Sequence, residues 1–66
     1  MSAKYPDIEV RLIGEDGNAF AILGKVNRAL YRSGVDKSER DAFIEEATSG
    51  DYENLLATVW RWVSVL

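Results

Sequence analysis

A single β-type alternation stands at the head of an otherwise helical sequence, and it constrains the fold more than any other feature. In the run D-I-E-V-R-L-I-G, Ile8, Val10 and Leu12 alternate with Glu9 and Arg11. That is the period of a strand with one buried face, and it predicts a strand over 7–13. Residues 1–6, which end at Pro6, form a tail. A lone strand leaves backbone amides and carbonyls without partners, so something must pair with it. The sequence offers two solutions. The C-terminal run W-V-S-V-L, residues 62–66, alternates like a short β-branched strand, but it also continues the preceding helical pattern. Residues 63–66 are therefore either a helix end or a short strand beside the first one. Otherwise the first strand pairs with a second chain.

Three helical segments lie between. Asn18 is a good N-cap for a helix over 18–33, because its side chain can accept from an amide of the first turn. On a wheel of about 100° per residue, Ile22, Leu23, Val26 and Leu30 form the core stripe. Lys25, Arg28 and Arg32 face the other way, and Phe20, Gly24, Asn27 and Tyr31 form a strip beside the core. Gly34 is a natural stop. Asp36 and Glu39 fit a capping box for a second helix over 37–47, anchored on the surface by Phe43 and Ile44. Asp51 caps a third helix over 51–62. Its apolar arc runs through Tyr52, Leu55, Leu56, Val59 and Trp62, with Trp60 flanking it, while Thr58 and Arg61 face away. The expected fold is one small α+β domain over 1–66, mostly helical, with one strand followed by three helices.

Composition narrows the function. There is no Cys and no His, which removes disulfides, thiolate or imidazole metal sites, and Ser-His chemistry. A 66-residue chain without such staples needs efficient packing or a partner chain. The 8 Lys+Arg against 11 Asp+Glu give a net charge of −3, which argues mildly against nucleic acid. The start of the chain lacks the apolar run of a signal peptide, and no stretch approaches a membrane-spanning length. A cytoplasmic location and no membrane partner are expected.

The corner G-E-D-G-N-A-F, residues 14–20, invites comparison with a phosphate loop. It has no closing Lys and no third glycine, and Glu15 and Asp16 would repel an anion. Nor do Glu15, Asp16 and Asn18 have the spacing of a calcium loop. The plainer reading is a turn at Gly17 and a cap at Asn18. The acids Glu39, Asp41, Glu45, Glu46, Asp51 and Glu53 cluster around the second helix, where they should be solvated rather than catalytic. No catalytic residue, cofactor or metal is assigned, and the chain is read as non-enzymatic.

Two surfaces remain. Gly24 in mid-helix costs about 1 kcal/mol relative to Ala, which suggests that a backbone or ring approaches it. Either the C-terminal Trp residues cover the strip Phe20, Gly24, Asn27 and Tyr31, or that strip contacts a second chain. The basic stripe Lys25, Arg28 and Arg32 either follows a phosphate backbone or is an ordinary outer helix face on which Arg28 and Arg32 pair with acids of the second helix. The leading expectation is a small module binding protein, with a homodimer as one form. The alternative is a nucleic-acid accessory using the stripe.

The run GEDGNAFAILGKV, followed by ATSGDYENLLATVWRWV, resembles a family of short uncharacterised proteins of bacteria and bacteriophages. The resemblance spans Ile8 to Val63. It implies a stand-alone small domain and carries over no functional residue.

Overall fold

The structure, a computed structural model, describes residues 3–12 and 18–66. Its elements run β1 (Tyr5–Val10), α1 (Ala19–Arg32), α2 (Lys37–Ala47), α3 (Tyr52–Trp62) and β2 (Val63–Val65). The fold is α+β and mostly helical. The open question at the C-terminus resolves as a strand: β2 lies parallel to β1, with Tyr5 opposite Val63, Glu9 opposite Ser64 and Val10 opposite Val65. The three helices together make the crossover that a parallel pair needs. The register slips between Tyr5 and Glu9. The Ser64 hydroxyl donates to the Pro6 carbonyl across this irregular stretch at 2.7 Å.

β1 begins earlier than the alternation predicts, and residues 5–6 belong to it rather than to the tail. Its partner sets its position. Backbone bonds from Lys4 N to the Arg61 carbonyl (2.8 Å) and from Leu66 N to the Val10 carbonyl (2.9 Å) bracket the sheet. Arg11 and Leu12 follow it without pairing. Residues 13–17 lie outside the described residues, and with them the turn expected at Gly17 and the carboxylates of Glu15 and Asp16.

The helix boundaries follow from side-chain chemistry. Asn18 accepts from the amides of Phe20 (2.7 Å) and Ala21 (3.4 Å). Asn18→Ala should lower the stability by about 1 kcal/mol in a urea titration. α1 stops at a left-handed Gly34 (φ 86°). The Val35 amide reaches the Leu30 carbonyl (3.0 Å) and the Gly34 amide the Tyr31 carbonyl (3.1 Å), which is the double-bonded glycine cap. Asp36 caps α2 through the Glu39 amide (3.0 Å), and Asp51 caps α3 through the Asn54 amide (2.9 Å).

The core lies where β1, α1, α2 and α3 meet. Ile8 and Val10 enter from the sheet, and Ile22, Val26 and Leu30 enter from α1. Phe43 and Ala47 come from α2, and Leu55, Val59, Trp62 and Val63 close the far side. Leu12, Leu23 and Leu56 pack against this cluster from its margin. Phe43 meets Trp62 edge-on, with ring centroids 5.5 Å apart. Two expectations for α3 fail. Thr58, expected to face outward, is fully buried, and Trp60, expected at the core margin, is 63% exposed. α2 packs along one flank of α3 and so turns the buried arc toward Thr58. The hydroxyl of Thr58 is satisfied locally: it donates to the Asn54 carbonyl (2.8 Å) and accepts from Arg61 (3.0 Å).

Glu39 fastens β1 to α2. Its Oε1 accepts from the Tyr5 hydroxyl and from the Lys4 ammonium, both at 2.7 Å, instead of closing the capping box. The Lys4 ammonium also sits 4.3 Å from the Trp62 ring centroid. The hydrogen bond from Lys4, and then that from Tyr5, hold the Glu39 carboxyl below its ordinary 4.5. Asp36 is lowered by the Glu39 amide it caps, and Glu46 by hydrogen bonding from Arg61. A depressed carboxyl contributes stability that is present above its unfolded value and lost as pH falls through its folded value. The urea midpoint should therefore hold from neutrality to about pH 5 and fall below about pH 4. Glu39→Gln should flatten part of that fall. A midpoint that rises on acidification would exclude this account.

Candidate functional site

Phe20, Gly24, Arg28 and Arg32 follow one another at i, i+4 along α1, so they stack on one face over successive turns. Lys25 and Ala21 flank them. Together these six residues line a shallow groove of about 470 Å³. The inward face of the same helix is held by Ile22, Val26 and Leu30, which fixes the outward face toward solvent.

The four contact candidates separate. Phe20 is 83% exposed. Among the described residues, and apart from its own stretch of helix backbone, no atom lies within 4 Å of where a Cβ on Gly24 would stand. The expected cover by the C-terminal Trp residues is not made: Trp62 points inward to Phe43 and Tyr5, and Trp60 lies exposed on α3. Tyr31 is taken by the guanidinium of Arg40, 5.0 Å from its ring centroid, which also donates to the Val35 carbonyl. Asn27 is half-buried on the flank of α1. Phe20 and Gly24 thus belong with the basic stripe rather than with Asn27 and Tyr31.

Arg28 and Arg32 do not pair with the acids of α2. Lys4 pairs with Glu39, Lys37 with Asp41, and Arg61 with Glu46. Among the described residues neither Arg28 nor Arg32 makes an ion pair. Arg32 sits in the last turn, where it complements the helix dipole. Three of the four acids of α2 are engaged elsewhere: Glu39 with Tyr5 and Lys4, Asp41 on its own helix and Glu46 on α3.

One line of α1 therefore carries an exposed ring, a gap in the side-chain layer, and two guanidinium forks. A guanidinium matches a carboxylate or a phosphate in two parallel hydrogen bonds. The ring and the gap offer apolar contact and close backbone approach. A helix wheel drawn without the core phase splits this line into two strips. The signal that unites it is the i, i+4 spacing of residues 20, 24, 28 and 32.

The larger hollow, about 620 Å³, lies between β1 and the α1–α2 corner. Lys4, Tyr5 and Glu39 on its wall bond one another, so those groups are already spoken for. Among the described residues there is no cluster of acidic side chains placed to hold a metal ion, and no helix is long and apolar enough to cross a membrane. No protein-family model, curated protein or solved structure matches the chain, so the roles of these residues rest on their geometry alone.

Proposed function

We propose that this chain is a non-enzymatic interaction module that binds protein through the outward face of α1. The observation that carries this reading is Gly24, a mid-helix glycine with open space above it among the described residues, between an exposed Phe20 and two guanidinium groups that make no ion pair there. Among the described residues nothing packs on Gly24 to compensate its helix cost. Close approach of a partner does, with Phe20 as the apolar anchor and Arg28 and Arg32 reaching the partner's carboxylates.

Gly24→Ala separates stability from binding. The methyl meets nothing in the free domain, so the helix should gain about 1 kcal/mol in a urea titration. The same methyl stands in the approach path, so partner affinity should fall. A variant that loses stability, or that binds as well as the parent, counts against the reading.

A second reading has one observation behind it: Arg28 and Arg32 are unpaired and in line with an aromatic ring, as in single-strand nucleic-acid grooves. The net charge of −3 weighs against it. Photo-crosslinking decides. Benzoylphenylalanine in place of Phe20 should give nuclease-resistant protein adducts in cells, and the same group in place of Asp41 should not. Nuclease-sensitive adducts at position 20 favour nucleic acid. Equal labelling at both positions rejects the α1 face.

A further inference from the structure

The outward face of α3 is a second unpartnered surface. Trp60 is 63% exposed there, and Ala57 and Glu53 stand one and two turns before it on the same side. Among the described residues Glu53 makes no ion pair. An exposed tryptophan is costly to keep in water, and Tyr5, Phe43 and Lys4 all go to Trp62 instead.

We infer that the α1 groove of one copy receives the α3 face of a second copy, with Trp60 seated over Gly24 and Glu53 paired to Arg28 and Arg32. The inference rests on the protein-binding reading above and names its partner. Spacing supports it. At 1.5 Å per residue, Trp60 and Glu53 are about 10 Å apart along α3. With the helices antiparallel and Trp60 level with Gly24, Glu53 falls level with the Arg28–Arg32 segment, about 6–12 Å from Gly24. Ala57 lies between and leaves room for the stem of Arg28. The indole then covers the gap left by Gly24, beside Phe20 and against a guanidinium.

Charge supports it as well. Removing Lys25, Arg28 and Arg32 from the eight basic residues leaves five against eleven acidic ones, a net charge of −6 for the rest of the chain. A second copy, at −3 overall, thus carries its excess of acid away from its own α1 stripe, and its α3 face offers Glu53 to this one. An α1–α1 pairing would instead bring two basic stripes together. Each copy offers both faces, so the contact either occurs twice in a closed dimer or repeats along a chain of copies.

Sedimentation equilibrium over a concentration series up to about 1 mM, the weak end of specific association, tests this. The parent should exceed 7.4 kDa in a concentration-dependent way. Trp60→Ala, Arg28→Glu and Glu53→Arg should each weaken association at least tenfold. The double variant Arg28→Glu with Glu53→Arg should restore most of it. All three positions are exposed, and circular dichroism checks that the variants keep the fold. A monomer at every concentration overturns the inference, as does association that ignores Trp60→Ala or is not rescued by the charge swap. The protein-binding reading fails separately: a monomer that still crosslinks another protein at position 20 keeps that reading and loses only the second copy.

Discussion

Phe43→Ala should leave the domain largely unfolded at 25 °C. Phe43 is fully buried and stands edge-on to Trp62 at the centre of the core. Removing a buried phenylalanine side chain costs about 3–5 kcal/mol, because the cavity adds to the lost transfer energy. Domains carry about 0.05–0.15 kcal/mol of stability per residue, so a chain of this size holds roughly 3–10 kcal/mol in all. The loss is therefore comparable with the whole. Far-UV circular dichroism should show lost helix, and α2 should go with the rest, since Phe43 and Ala47 are its buried residues. Phe43→Leu should stay folded with a lower urea midpoint. An unchanged midpoint in Phe43→Ala would move the centre of the core elsewhere.

Trp62→Ala should be similarly severe, by about 3–5 kcal/mol, and it should act on the sheet as well as the core. Trp62 is the last residue of α3, and its ring touches Phe43 on one side and Tyr5 on the other, 5.9 Å between centroids. Lys4 lies over the same ring. Without it the N-terminal strand loses the surface on which it lands. The milder Trp62→Phe should keep the fold and leave Trp60 as the chain's remaining tryptophan. Its fluorescence should then be red-shifted and fully open to an added quencher. A blue-shifted spectrum would mean that Trp60 is covered, which in dilute solution would contradict its 63% exposure.

The sequence states the elements more clearly than it states how they face one another. Caps and stops are local chemistry. Asn18, Gly34, Asp36 and Asp51 act where their residue types imply, and α2 spans the predicted 37–47. The alternation of Ile8 and Val10 likewise marks the buried face of β1. Burial on α3 is not local. Periodicity gives the width of an apolar arc but not which flank a neighbour covers, so Thr58 and Trp60 exchange their expected places once α2 packs alongside. The start of β1 depends on a strand more than fifty residues away, which no local pattern encodes. The candidate site was half legible for the same reason. Gly24 stands out in any helix, and the i, i+4 spacing joins it to Arg28 and Arg32, but only the fold shows that neither guanidinium makes an ion pair among the described residues.

The parallel pairing of β1 with β2 also sets an order of events during synthesis. β1 leaves the ribosome more than fifty residues ahead of its pairing strand, which begins at Val63. At about 5–20 residues per second, some 3–10 s pass between the two. Throughout that interval Ile8 and Val10 lack the core they enter, and the strand's backbone groups lack their ladder. The helices can form as they emerge, because their hydrogen bonds are local. The sheet cannot. It closes a loop of more than fifty residues, which places it among the slowest contacts to form.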